Sequence, residues 1–223
     1  MTTDGNGTQS RNGRHRWWQI WKRDQDVELD LAAYRRLAVQ LHHGLPRAEQ
    51  VSRSVLIATP NESRFWAAVC VTLASCMAEE LRRPVLLVEA DGSDEVSEML
   101  GSASSPGLAD LLTSPARPLR ELALQTSQQN VWFLPRGTAE GSFFPGSPED
   151  AQDLLVRAAE EWDFIVIAGG PVLRNAFALA MAPYVGRVLM LVIEGRTPIE
   201  DIDAAQNALE QCKAQNVSLV LTI

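Results

Sequence analysis

Hydrophobic residues along this chain follow two alternating patterns. Short, nearly continuous apolar runs are typical of strands that are buried on both faces of a sheet. Between these runs, apolar residues recur at helical spacing. The predicted strands are 55–59, 85–89, 131–134, 164–168, 188–193 and 217–223, and the predicted helices are 26–44, 62–81, short pieces within 93–125, 148–162, 175–184 and 198–215. Strands that alternate with helices predict a mostly parallel sheet in a three-layer α/β/α domain.

The pattern also divides the chain into three parts. Residues 1–24 hold a polar stretch rich in Thr, Asn, Gly and Ser, followed by a basic segment rich in tryptophan, and we expect this part to be disordered. Residues 25–53 are predicted to form a helix and a linker. Residues 54–223 are predicted to form the α/β domain.

Composition agrees with a soluble globular protein. The chain has 223 residues, of which 46% are hydrophobic and 22% are charged, and this excludes a collagen-like or wholly disordered chain. Its three cysteines are too few and too scattered for a disulfide framework or a metal cluster. No apolar stretch is long enough to cross a membrane, and no secretory signal is apparent. We therefore expect a cytoplasmic protein.

Charge is distributed unevenly. The whole chain carries a net charge of −8, yet residues 1–24 hold five Lys or Arg residues against two Asp residues. The rest of the chain is strongly acidic and would repel a polyphosphate, so we expect no nucleic-acid partner.

The basic N-terminal segment admits two interpretations. Tryptophan favours the headgroup zone of a membrane, and Arg and Lys favour anionic lipid. The segment could therefore anchor the protein at the inner face of the cell membrane or dock on a membrane partner. Alternatively, its rings pack on the domain beside helix 26–44. The residues concerned are Arg14, Arg16, Trp17, Trp18, Trp21, Lys22 and Arg23.

Ligands of parallel α/β folds bind at the carboxyl ends of the strands, so the loops there carry the functional information. Three local motifs are distinctive: Ala58-Thr59-Pro60, Pro-Gly-Leu-Ala-Asp-Leu-Leu at 106–112, and Gly-Pro-Val-Leu at 170–173. With their order and spacing, they resemble the cytoplasmic domain of bacterial tyrosine kinases that regulate capsular and exopolysaccharide assembly. The resemblance covers about residues 28–223. It implies a P-loop NTPase-like fold within the deviant-Walker ATPases, which also include chromosome and division-site positioning proteins.

The first loop departs from that family. The family pattern is Ala-Thr-Pro-Gly-Glu-Gly-Lys-Ser/Thr, and Pro60 and Glu62 match it. Asn61 and Ser63 replace the two glycines, which let backbone amides close around phosphates. Arg64 replaces the lysine, and a planar guanidinium cannot take the place of a compact ammonium without a rearrangement. Phe65 replaces the hydroxyl residue and cannot bind Mg²⁺.

The other two loops depart as well. The family's Asp-x-Asp becomes Glu89-Ala90-Asp91, and Ala168 stands where the resemblance implies a metal-organising aspartate, although Pro171 is retained. Phosphoryl transfer depends on Mg²⁺ and on positioned cations. We therefore expect a degenerate site with no catalytic residue and no metal ligand. The two acids could still bind a cation, or they could cap the following helix. Binding of ATP or ADP with Mg²⁺ is conceivable but not expected.

The family's oligomer signature and phosphoacceptor are also reduced. Of the Glu-x-x-Arg-x-x-Arg segment that helps to form the family's ring, only Arg35 remains, which leaves a homo-oligomer as an open expectation. The family phosphorylates a tyrosine-rich tail, whereas this chain has only Tyr34 and Tyr184.

Together these features predict a catalytically degenerate regulatory or scaffold protein of bacterial exopolysaccharide biosynthesis and export. The resemblance implies a membrane-embedded polysaccharide co-polymerase, or chain-length determinant, as its partner. Two alternatives remain: an active protein tyrosine autokinase of chain-length control, and a positioning ATPase.

Overall fold

A computed structural model of the chain describes residues 30–45, 53–63, 65–138 and 148–222. Within these residues, eight helices and seven strands follow one another, and six of the strands lie where the apolar pattern predicts them. The strands are β1 (Ser54–Thr59), β2 (Val85–Glu89), β3 (Leu124–Gln125), β4 (Val131–Leu134), β5 (Phe164–Pro171), β6 (Arg187–Ile193) and β7 (Val217–Thr222). The helices are α1 (Leu31–Gly44), α2 (Trp66–Leu81), α3 (Glu95–Leu100), α4 (Leu108–Thr113), α5 (Leu119–Leu122), α6 (Pro148–Glu161), α7 (Ala176–Met181) and α8 (Ile199–Gln211).

The strands form one sheet in the order β3-β4-β2-β5-β1-β6-β7. All neighbouring strands run parallel except β3, which pairs antiparallel with β4 through two residues. The predicted mostly parallel α/β fold is thus confirmed. The central strands β1, β2 and β5 have their carboxyl ends on the same side of the molecule. The loops that the sequence singles out therefore lie close together there.

Each face of the sheet carries its own hydrophobic core. Alternate residues of β1 show the division: Leu56 and Ala58 join one core, whereas Val55 and Ile57 join the other. The first core is closed by α4 to α8, and the second by α1 and α2. Because both faces are covered, the central strands are apolar along nearly their whole length, which is why they read as continuous runs in the sequence.

Helix α1 packs against α2 on the second face. Asp30 caps its N-terminus, since its Oδ1 accepts hydrogen bonds from the amides of Ala32 and Ala33 at 2.9 and 3.2 Å. Arg35, the remaining family arginine, forms ion pairs with Glu79 and Glu80 at 3.3 Å each. In this structure Arg35 therefore holds two helices of the same chain together.

Several predicted boundaries are wrong. Helix α1 begins at Leu31 rather than at residue 26, because Asp30 is the cap, and residues 26–29 lie outside the described residues. Helix α2 begins at Trp66 rather than at residue 62, because the residues before it belong to the loop. Helix α8 ends at Gln211, and the short strand β3 falls where helical pieces were predicted.

Candidate functional site

The loop after β1 leads into helix α2 without a left-handed residue at the positions where glycines are expected. Pro60 is buried, Asn61 and Glu62 are exposed, and Ser63 is half-buried. Within the described part of the chain, Asn61 and Ser63 are not among the residues with positive φ. Phe65 is the N-cap of α2 and makes no capping hydrogen bond with its side chain. Arg64 lies outside the described residues.

An ion pair connects this loop to the loop after β5. The guanidinium of Arg174 contacts the carboxylate of Glu62, and both side chains are exposed. Arg174 follows Pro171, at the end of β5, by three residues. The pair therefore crosses the mouth of the space between the two loops.

Glu89, the last residue of β2, is completely buried and fully hydrogen-bonded. Its Oε1 accepts hydrogen bonds from the amides of Val96 and Ser97 at 2.8 and 3.0 Å. Its Oε2 accepts from the hydroxyl of Ser97 and, at 3.2 Å, from the amide of Arg136. Burial raises the pKa of Glu89, and these hydrogen bonds oppose the rise. The carboxylate thus ties the first turn of α3 to the loop after β4.

Asp91 is nearly as buried, with 3% of its surface exposed, but it lacks this support. Its Oδ2 accepts a hydrogen bond from the amide of Ser93 at 3.1 Å, whereas its Oδ1 is buried without a hydrogen-bond partner. Burial raises the pKa of Asp91 to about 7, and the nearby charge of Glu89 adds to the rise. At neutral pH this carboxyl group is therefore close to half protonated.

The end of β5 supplies backbone rather than polar side chains. Ala168 is completely buried, and its carbonyl accepts a hydrogen bond from the amide of Ala90 at 2.9 Å. The ladder between β1 and β5 slips at Gly169, where a β-bulge shifts the register. Gly170 follows with φ of +60°, and a Cβ there would lie 3.1 Å from the Cβ of Asp91. A glycine at 170 therefore lets β5 approach Asp91 closely.

Asn175 closes the same edge, and the sequence analysis did not single it out as functional. Its Nδ2 donates hydrogen bonds to the carbonyls of Ala90 and Gly169 at 2.7 Å each. Its Oδ1 accepts from the amides of Phe177 and Ala178, so it also caps α7. An asparagine at the first position of the predicted helix 175–184 was the available signal.

The predicted site residues divide between two clefts. A cleft of about 760 Å³ brings together Glu62, Ser63, Asp91 and Pro171, and the remaining lining residues are Trp66, Gly92, Ser93, Glu95, Arg174 and Asn175. A second cleft of about 290 Å³ is lined by Pro60, Asn61 and Phe65 as well as by Glu62 and Ser63. Neither cleft is lined by Glu89 or Ala168. Among the described residues, no three His, Cys, Asp or Glu side chains converge on a possible metal position.

Relatives in the curated proteins point to one kind of enzyme. No protein-family model matches the chain. The chain is 24% identical over 216 residues to tyrosine-protein kinase Wzc of Salmonella typhi, and 22% identical over 215 residues to that of Salmonella typhimurium. Each match covers 93% of this chain, but the chain spans only 29% of the length of either relative.

Solved structures give the same picture. The kinase domain of Escherichia coli tyrosine kinase ETK superposes with a TM-score of 0.72 at 20% identity, covering 86% of this chain and 74% of that one. The VpsO kinase domain gives a TM-score of 0.73 at 19% identity, covering 92% and 98%. The chain resembles bacterial tyrosine kinases in sequence and fold. The cell division protein MinD of Aquifex aeolicus has a similar fold, with a TM-score of 0.57 at 17% identity, covering 75% of this chain and 68% of that one.

Two further sequence predictions concern the membrane. The basic tryptophan segment, with Trp17, Trp18 and Trp21, lies outside the described residues, so its anchoring, docking or packing stays a prediction. Within the described ranges, no helix combines the length and the apolar character that crossing a bilayer requires.

Proposed function

We propose that this protein is a catalytically degenerate, tyrosine-kinase-like scaffold or regulatory subunit of bacterial exopolysaccharide assembly and export. The fold supports the kinase-like part of this proposal. The residues at the strand ends support the loss of catalysis.

The observation that carries the proposal is the hydrogen bonding of the Glu89 carboxylate. This residue corresponds to the first acid of the family's Asp-x-Asp pair. Its two oxygens already accept four hydrogen bonds from α3 and from Arg136, and it does not line the large cleft. A carboxylate in this state has no lone pair directed at a ligand, so it serves the fold.

The remaining groups fit a magnesium–nucleotide complex poorly. Mg²⁺ prefers several oxygen ligands in nearly octahedral geometry. Phe65 stands where the family has a hydroxyl ligand, and Ala168 stands where it has a metal-organising aspartate. Neither has a side-chain oxygen, and Asp91 faces the cleft as the buried acid that remains. The cleft also places Glu62, Asp91 and Glu95 together, with Arg174 paired to Glu62. These acids oppose the binding of phosphate groups, so we derive no phosphoryl-transfer step.

The two tyrosines also suit structural positions rather than phosphorylation. Tyr34 lies in α1 and is half-buried against the second core. Its burial raises the pKa of its hydroxyl to about 12. Tyr184 is half-buried against the first core.

A titration of the purified protein with ATP and ADP, with and without Mg²⁺, tests the proposal. We expect no heat of binding at millimolar nucleotide and no ATP turnover above a buffer blank. A matched control is the variant Asn61→Gly/Ser63→Gly/Arg64→Lys/Phe65→Thr, which restores the family's loop. We expect the control to gain nucleotide affinity. Turnover by the natural chain that is abolished by Arg64→Ala would instead show an active kinase or ATPase, and nucleotide-dependent dimers would favour a positioning ATPase.

The proposed partner is a membrane-embedded polysaccharide co-polymerase, contacted through the basic tryptophan segment. Deletion of residues 1–24 tests this contact. We expect the deletion to abolish co-sedimentation with membranes and co-purification with the partner, while the far-ultraviolet circular dichroism of the domain is unchanged. Membrane association that survives the deletion would refute this role for the segment.

A further inference from the structure

The two edges of the sheet are very different. Strand β3, at one edge, contributes only two residues. Strand β7, at the other edge, has six residues paired on one side with β6, and no other described strand pairs with its second side. Natural proteins usually protect a long edge strand with charges, proline or a bulge. Val217–Thr222 has no charged residue and no proline.

The exposed side chains of β7 are apolar. Leu219 and Leu221 are 51% and 61% exposed, on the face that carries α8. Val217, on the same face, packs against the first core, whereas Val220 packs against the second. The strand thus presents two leucines next to an edge that no other described strand covers.

The hydrogen bonds to β6 fix which backbone groups are open. The amide of Val188 donates to the carbonyl of Asn216 at 3.3 Å, so the polar groups of residue 216 point toward β6. Backbone direction alternates along a strand. Ser218 and Val220 therefore also face β6, and Leu219 and Leu221 direct their N–H and C=O groups to the open edge.

These groups are self-complementary under a two-fold axis. We propose that two copies of this chain pair through β7, antiparallel and centred on Val220, to give one continuous fourteen-stranded sheet. In this register Leu219 lies opposite Leu221 of the second copy, and both residues contribute outward-facing hydrogen-bonding groups. Ser218 lies opposite Thr222 of the second copy. A two-fold contact of this kind closes on itself and leaves no free β7 edge.

Charge favours a second copy at this place. The chain carries a net charge of −8, so most of its surface would repel another copy. Residues 214–223 contain no charged side chain. Registers centred on Leu219 or on Leu221 also align outward-facing groups, but they do not place the two exposed leucines opposite each other. Strand β7 lies at the side of the sheet, away from the two clefts at the carboxyl ends of the strands. The pairing is therefore independent of whether nucleotide binds.

Sedimentation equilibrium of the full chain, with and without one substitution, tests the pairing. We expect a species of twice the chain mass. Leu221→Lys should weaken this dimer by at least about tenfold, because each copy would then place a lysine opposite Leu219 of the other copy. The matched control is Ile199→Lys, at an apolar residue of α8 that is 76% exposed, and it should leave the dimer intact. A monomer at all concentrations, or a dimer insensitive to Leu221→Lys, would overturn the proposal, as would open-ended aggregation or an edge occupied only by another protein.

Disulfide trapping tests the register. In a Cys212→Ser background, Val220→Cys should form a covalent dimer on oxidation, because residues at the centre of the pair have Cα atoms about 4.5–5.5 Å apart. Ser218→Cys is the control on the same face, since the register separates residue 218 from its counterpart by about 13 Å. Equal trapping at both positions, or trapping at neither, would refute pairing centred on Val220.

Discussion

Two acids at the end of β2, separated by one residue, have opposite fates. Glu89 is completely buried with four hydrogen bonds, and Asp91 is 3% exposed with one oxygen unpartnered. Residues two apart in an extended chain point to the same side, but Asp91 lies past the end of the strand, where the chain turns. The first acid meets the orphan amides of a helix N-terminus, and the second faces a cleft.

The contrast separates a structural remnant from a functional one. A hydrogen-bonded carboxylate stabilises the fold and can be retained for that reason alone. A buried carboxylate without a partner is destabilising, unless a ligand or a neighbouring group satisfies it. Asp91 is therefore the residue at which a remaining ligand-binding role would be found, and Glu89 is the residue at which it would not.

The largest expected effect is on the structural acid. Glu89→Ala leaves the buried amides of Val96 and Ser97 without this acceptor, and each such group costs about 1–3 kcal/mol. We expect the free energy of unfolding to fall by about 4 kcal/mol in urea denaturation. Glu98→Ala, at an exposed position of the same helix, is the control and should cost less than about 1 kcal/mol. An equal effect of both substitutions would show that the hydrogen bonds of Glu89 are not a major support.

Substitution of the second acid, Asp91, should change the free energy of unfolding in the opposite direction. The pKa of Asp91 is about 7 in the folded protein and near 3.8 when unfolded, so between these values the folded state retains a proton that the unfolded chain has lost. Stability from this group is therefore full at low pH and is lost as pH rises through 7. Each unit of pKa difference corresponds to about 1.4 kcal/mol. We expect Asp91→Asn to stabilise the protein by up to about 4 kcal/mol at pH 8.5 and by only about 1 kcal/mol at pH 4.5.

Asp110 provides a control of opposite sign for that titration. Although partial burial acts to raise it, the pKa of Asp110 is lowered by hydrogen bonds from the amide and the hydroxyl of Thr138 and from the amide of Gly107. Asp110→Asn should therefore destabilise the protein at neutral pH, and the difference should shrink as pH falls below the usual carboxyl range. Urea denaturation from about pH 2 to about pH 8.5 measures both variants. Parallel pH profiles for the two would contradict the distinct environments.

Most strands of the sheet could be predicted from the sequence, because they are buried on both faces. Runs such as 164–168 are apolar without alternation, and this pattern distinguishes strands of a covered parallel sheet from those of a half-exposed one. The same signal fails at β3, since two residues cannot show a period. It also fails at the start of α2, because the polar residues 61–63 fit a loop as well as the first turn of a helix.

The contacts of individual site residues were much harder to predict from the sequence. Nothing in Glu-Ala-Asp says which acid meets the amides of α3, since that depends on where the chain leaves the plane of the sheet. The capping alternative considered for these acids describes Glu89 and not Asp91. Likewise, the sequence indicates a charged Arg174 but not its ion pair with Glu62, because the two residues are brought together only by the adjacency of β1 and β5.

The smallest expected effect belongs to that ion pair, at the mouth of the cleft. Both side chains are mostly exposed, and solvent and salt screen such pairs, so we expect a coupling below about 0.5 kcal/mol in a double-mutant cycle of Glu62→Gln and Arg174→Gln. The loop after β1 would then be held mainly by its backbone, and the cleft beside Asp91 would stay open to a ligand. A coupling above about 1.5 kcal/mol would mean that the pair is shielded from water. In that case the mouth of the cleft would be closed by the chain itself, and Asp91 would be inaccessible to a ligand.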